Sequence, residues 1–217
     1  MAMTRGHLIV FEGVDGSGTT TQSRALREAF VSRGLPAHVT AQPSAGPVGM
    51  LIRQVLSGRM VLRGSKPPGW TTMALLFAAD RHDHQEAEIE PNLRDGVNVI
   101  CDRFTYSSVI YQSLDASDER AEEWIRELNR YVRKPDLVFY LRVSQRVAEE
   151  RRRSRSGGEG IYDESDFQDR LVESYEGIEE MFPGHRIVAL NGERPANEIE
   201  QTVWRHVEEL RSEGAPA

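Results

Sequence analysis

Residues 11–22 read FEGVDGSGTTTQ, and how this stretch is read decides the fold. Gly13 to Thr20 has the spacing of a phosphate-binding loop, G-x-x-x-x-G-K-[ST], with Thr19 at the lysine position. Glycines at 13, 16 and 18 free the backbone to take positive φ and to come close to a polyphosphate. The amides of Val14, Asp15, Ser17 and Thr19 then converge at a helix N-terminus, where the helix dipole adds positive potential. The Thr20 hydroxyl stands where Mg²⁺ takes a ligand. An ordinary glycine-rich turn capped by Ser17 or Thr19 is the bland alternative.

Outward from the loop, strands and helices alternate. HLIVFE (7–12) is a short apolar run that meets the glycines at once, which marks a buried strand. A helix is expected from Thr19 to Arg33, and further strands at 37–41, 97–101, 136–143 and 186–190. Helices are expected at 47–56, from Trp70 to about Asn92, and at 104–114, 118–132, 144–153, 166–181 and 196–211. Strands separated by helices predict an α/β fold: one five-stranded parallel sheet covered on both faces. Ligands in such sheets bind beyond the carboxyl ends of the strands. The loops after Glu12, Ala41, Cys101, Val143 and Leu190 should therefore face one crevice. The 217 residues suit a single domain spanning 1–217, with a short polar lid at about 151–165.

Composition narrows the chemistry. The formal net charge of −7 argues against general nucleic-acid binding and requires a local basic site for any anionic substrate. No apolar run is long enough to span a membrane, and the N-terminus lacks a signal-peptide pattern. A single cysteine, Cys101, excludes an internal disulfide and fits a cytoplasmic location. Among 27 basic residues only Lys66 and Lys134 are lysines, yet position 19 is neither lysine nor arginine.

FEGVDGSGTTTQ, PVGMLIRQVL, LLFAADRHDH, VICDRFTYSSVIYQ and KPDLVFYLRVS occur in the order seen in thymidylate kinases. The chain resembles that family over roughly residues 7 to 205, and a branch of it whose loop reads GTTTQ. The resemblance implies a three-layer P-loop kinase fold and transfer of the γ-phosphoryl of ATP to dTMP with Mg²⁺. It also implies a homodimer packed through helices, including the one that starts near Trp70. By resemblance, Asp15 contacts the acceptor sugar and Arg53 lies near the acceptor phosphate. Phe77 stacks on thymine, and Arg81 bonds the base edge. Arg103 holds the acceptor phosphate and steadies the transferring charge, Asp102 lies near Mg²⁺, and Ser107, Ser108 and Tyr111 make base and sugar contacts. A kinase of the same fold acting on another pyrimidine nucleotide or nucleoside, and a nucleotide-binding protein without useful catalysis, are the competing readings.

Other features have bland readings. His82 and His84 do not share a helical face, so they are not read as a metal pair. Cys101 ends a buried strand and is read as inert packing, and Trp124, Ile125 and Leu128 form a core stripe. ERRRSRSGG (150–158) is read as a lid that closes on phosphate. Several positions depart from the family pattern. T-R-E-P-G-G of many members becomes TAQPSAG (40–46), which puts Ala41 and Gln42 where an arginine and a glutamate are common. The lid carries GIYDE (160–164), the fourth strand ends LRV, and the loop lacks its lysine. The missing charge is expected from the lid, first from Arg155 with Arg153 beside it, and next from Arg24 or Arg103.

Overall fold

The structure, a computed structural model, describes residues 5–61, 66–116, 118–154, 162 and 165–213. Five parallel strands form one sheet in the order β2-β3-β1-β4-β5. They are β1 (Leu8–Glu12), β2 (Ala37–Ala41), β3 (Asn98–Asp102), β4 (Leu137–Arg142) and β5 (Ile187–Asn191). The most apolar run, LIVFE, takes the centre, where every one of its residues is buried.

The period-2 alternation of the strands sorts their side chains onto two faces. Leu8, Val10, Val99, Cys101, Val138 and Tyr140 pack on one face. They meet Val109 of α5 (Thr105–Asp115), Ile125 of α6 (Ala121–Leu128) and Leu171 and Tyr175 of α8 (Ser165–Glu176). Ile9, Phe11, Ile100, Leu137, Phe139 and Leu141 pack on the other. There they meet Leu26 and Phe30 of α1 (Thr19–Ser32) and Val203 and Val207 of α10 (Ala196–Glu213). Fully burying one such side chain contributes about 1.5–3 kcal/mol, so both layers hold the strand ends firmly.

The remaining helices are α2 (Pro47–Leu56), α3 (Trp70–His84), α4 (Glu90–Arg94), α7 (Gln145–Arg153) and α9 (Ile178–Met181). Three expected helices differ from the structure, each for a local reason. The run from Trp70 widens into a π turn over Gln85–Ile89 before α4. Pro91 stands two residues beyond it, and its missing N–H and bulky ring disfavour a regular α-helical ladder back to residue 87. The helix expected over 118–132 is confined to Ala121–Leu128, and Asn129 ends it by donating from Nδ2 to the Ile125 carbonyl at 2.7 Å. The helix expected over 166–181 breaks at Gly177 into α8 and α9.

The register brings the strand ends level. Phe11 and Ala41 both pair with Asp102, Glu12 with Tyr140, and Arg142 with Asn191. The loops beyond them converge on the crevice that this topology creates where the strand order reverses at β1.

Candidate active site

The glycine loop joins β1 to α1. Gly13, Gly16 and Gly18 all have positive φ, at 151°, 91° and 105°. At Gly16 the requirement is also steric, because a Cβ there would lie 2.5 Å from the Ala148 carbonyl oxygen of α7. Gly18 stands in a left-handed conformation at the start of α1 and makes no side-chain cap. The first amides of the helix therefore remain free for a ligand. Ser17 Oγ is buried and has no hydrogen-bond partner. Thr19, at the lysine position, is itself buried.

Across from the loop, β3 ends at Asp102 and the chain turns at Arg103. Arg103 takes φ 68°, the one positive value among the described non-glycine residues. Such a conformation costs roughly 1–3 kcal/mol and persists only where its surroundings fix it. Glu12 supplies that fixing. It is completely buried and accepts from the Phe104 amide at 2.7 Å and the Ser107 hydroxyl at 2.6 Å. The Tyr175 hydroxyl donates to it at 3.0 Å. So clamped, Arg103 donates from Nη2 to Asp15 Oδ1 at 2.7 Å and from Nη1 to Ser107 Oγ at 3.0 Å. Its guanidinium also lies 5.3 Å from the centre of the Tyr111 ring. Burial pushes the Glu12 carboxyl above the ordinary carboxylate range, against the pull of Arg103 and its hydrogen bonds.

Thr20 donates to Asp102 Oδ2 at 2.5 Å, while Asp102 Oδ1 is buried and has no partner. The two residues thus present a hydroxyl and an unengaged carboxylate oxygen beside the loop. Among the described residues no group of three or more His, Cys, Asp or Glu side chains gathers to hold a metal. A cage of that kind is not what Mg²⁺ needs, since it takes one or two protein oxygens and completes its shell with phosphates and water. The pair fits Mg²⁺ on those terms.

A second arginine, Arg81 of α3, is 1% exposed. It donates from Nε to Gln42 Oε1 at 2.8 Å, from Nη1 to Asn129 Oδ1 at 2.5 Å and from Nη2 to the Phe104 carbonyl at 3.4 Å. Burial lowers its pKa to about 10, with Glu12 and Asp80 opposing, so it remains charged at neutral pH. Ser108 is buried and donates to Gln112 at 2.8 Å, and the buried Tyr111 hydroxyl has no partner. Phe77 is half-buried against Ile52, Val55 and Met73. Arg53 is exposed, and its guanidinium donates to the carbonyls of Pro43 and Ser44.

The basic helix α7 behaves differently from expectation. Arg153 points outward, with its side chain 78% exposed, and pairs with Glu149 at 2.5 Å. The helical phase brings Arg151 and Arg152 to the glycine loop instead. Arg152 donates to the Asp15 carbonyl at 2.9 Å, and Arg151 to those of Gly192 at 3.0 Å and Ser17 at 3.3 Å. Arg155, expected to supply the loop's missing charge, lies outside the described residues, as does Ile161.

The structure therefore brings Asp15, Thr20, Asp102, Arg103 and Ser107 together around one loop. The sequence reading left out Glu12, Tyr175 and Arg152. A glutamate that closes an apolar strand was a usable signal for Glu12, because a charge there must be buried and engaged. Nothing in the sequence marks Tyr175 within its helix.

A parallel sheet reversing at β1, with a glycine loop leading into a helix and an arginine facing it, is the architecture of the P-loop class of α/β proteins. Its family follows from comparison: the chain belongs to the thymidylate kinases, matching that family over residues 11–203. It is 33% identical to a putative thymidylate kinase of Treponema pallidum over 94% of this chain and 96% of that one. It is 39% identical to a probable thymidylate kinase of Thermococcus kodakarensis over 83% of this chain and 87% of that one. In fold it matches a solved thymidylate kinase from Candida albicans with a TM-score of 0.78 at 23% identity, over 95% of this chain and 93% of that one.

Proposed function

We propose that this protein transfers the γ-phosphoryl group of ATP to dTMP, giving dTDP. The observation that carries the reading is Arg103, held in a left-handed turn by Glu12 and aimed at Asp15 of the glycine loop. Phosphoryl transfer needs in-line positioning and positive charge on the equatorial oxygens, not a protein nucleophile. The acceptor is already an anionic phosphate oxygen. A planar guanidinium spanning the loop and the acceptor side meets that demand.

The loop amides of residues 13–20 cradle the donor phosphates. Arg103 and Arg53 take the acceptor phosphate, and Asp15 the acceptor sugar. Phe77 offers a ring face for the thymine, and Arg81 its remaining N–H groups for the base edge. Ser107, Ser108 and Tyr111 complete the wall around base and sugar. Thr20 and Asp102 hold Mg²⁺, which when bound offsets negative charge on the polyphosphate. Arg152 and Arg151, already seated on the loop, supply the positive charge that Thr19 does not. The single cysteine, Cys101, free and buried, supports a cytoplasmic location. The exposed Met50 of α2 and Leu75 of α3 support a homodimer packed through those helices.

Coupled ADP release over a panel of dTMP, dUMP, dCMP, AMP and thymidine, with and without Mg²⁺, tests the proposal. The highest kcat/KM is expected for dTMP, and only with Mg²⁺. Faster turnover of dCMP or AMP would overturn it.

A further inference from the structure

Arginine only donates hydrogen bonds, so the atom of Gln42 that faces Arg81 Nε must be its oxygen. The Gln42 NH₂ then points the other way, at His84 Nδ1, 3.3 Å distant. Gln42 is 6% exposed and His84 2%, so each polar atom depends on its protein partners. An NH₂ group donates, so His84 Nδ1 must accept. An imidazole that accepts at Nδ1 is neutral and carries its proton on Nε2. That Nε2–H has acceptors in Thr40 Oγ1 at 2.8 Å and Glu88 Oε2 at 3.5 Å. Adding a proton at Nδ1 sets two donors against each other. Turning the amide over relieves that clash and sets its NH₂ against Arg81. One amide therefore ties the neutral state of His84 to the hydrogen bond that orients Arg81.

We propose that Gln42 and His84 are positioning residues for the acceptor base. The neutral imidazole, acting through the Gln42 amide, holds Arg81 where it reads the thymine edge, and protonation of His84 releases that hold. This rests on the role given to Arg81 above. The charged groups around His84 pull in opposite directions. Glu88, in the π turn, faces the Nε2 side of the ring and is drawn down to about 2, mainly by its hydrogen bond with His84. His38 of β2 shares that carboxylate at 2.7 Å. Arg81, one amide away, opposes a second positive charge. Asp80, one turn earlier on α3, is occupied by the amide and hydroxyl of Ser44 at 2.8 and 2.5 Å. Buried Cys101 on β3 is kept protonated, because burial raises its pKa well above the usual thiol value.

The device depends on position 42 being an amide. A carboxylate, as in the T-R-E-P-G-G pattern, accepts through both oxygens and serves Arg81 whether His84 is neutral or protonated. Gln42→Glu should therefore uncouple acceptor binding from His84. The test is KM for dTMP and for ATP, in wild type and Gln42→Glu, at about pH 8 and about pH 6. The acceptor phosphate itself titrates near pH ~6, equally for both proteins, so the ratio of their KM values is the readout. The wild-type to variant ratio for dTMP should rise about tenfold on acidification, the worth of one buried hydrogen bond to a charge. The ratio for ATP should stay level. A dTMP ratio that does not move with pH overturns the proposal. A second measurement does not depend on Arg81. Nitrogen-15 spectra of wild type at about pH 8 should show His84 with its proton on Nε2, and a proton on Nδ1 would sink the relay. If Arg81→Gln leaves KM for dTMP unchanged, the base-reading role falls by itself, whatever the His84 spectra show.

Discussion

The two halves of the crevice are built from different materials. On the side proposed for the acceptor, Arg81 is buried and Arg103 partly buried, each held from several directions, while Arg53 is exposed. Arg103 is fixed by Asp15 and Ser107, and its turn by Glu12; Arg81 is fixed by Gln42, Asn129 and Phe104. On the side proposed for the donor, the groups on offer are mainly backbone: three glycines and the first amides of α1, with an unpartnered Ser17 hydroxyl. The side-chain cations there come from α7 and rest on loop carbonyls. Buried, networked charges need no reorganisation as the reaction proceeds, and so contribute most to the rate. A backbone cradle tolerates loss of a side chain, such as the lysine that Thr19 replaces, better than loss of a glycine.

Mutations on each side should therefore differ in size and in kind. Arg103→Ala is expected to have the largest effect, lowering kcat by ~10²–10³ in steady-state assays while the fold survives. A change confined to KM would make Arg103 a binding group alone. Glu12→Gln should follow, with kcat down by up to ~10² because the Arg103 turn loses its clamp. Its effect on stability should run the other way. The folded-state pKa of Glu12 lies above its unfolded value, so the ionised carboxylate costs stability at neutral pH. That cost fades as pH falls through the raised value and is gone below the unfolded one. Calorimetry at about pH 7 and at acid pH checks this: the Tm of the variant relative to wild type should fall as pH falls, and a gap that does not change with pH would contradict the burial cost at Glu12. On the donor side, Gly16→Ala should raise KM for ATP about tenfold and leave KM for dTMP alone, since its Cβ meets the Ala148 carbonyl and φ is 91°. Arg153→Ala should change turnover less than about twofold. Its exposed pair with Glu149, four residues away, has the small worth of a surface ion pair.

The fold was largely legible in the sequence, and so was the course of the glycine loop. LIVFE before the glycines placed the central strand, and the glycine spacing placed the loop, because both depend on neighbours in the chain. Asp102 and Arg103 were legible for the same reason, as residues that end a strand. The missing pieces depend on distant partners. Glu12 meets Phe104 and Ser107, more than 90 residues away, and Tyr175 reaches the same carboxylate from α8. Gln42 stood out as an unusual residue and His84 looked bland. Their meeting required β2 and α3 to be packed together. On α7 the arginines were legible as a group, but which of the described ones faces the loop was set by the docking of the helix, which turns Arg151 and Arg152 towards it.

The central claim is that α7 supplies the charge Thr19 lacks. A double-mutant cycle on Thr19→Lys and Arg152→Ala, read as single-turnover kcat with saturating ATP and Mg²⁺, tests it most directly. Arg152→Ala alone should lower kcat by ~10²-fold, as for loss of one preorganised donor, and Thr19→Lys should recover much of that loss while adding little to wild type. Two additive effects, or wild-type turnover in Arg152→Ala, would show that the loop draws its missing charge from elsewhere.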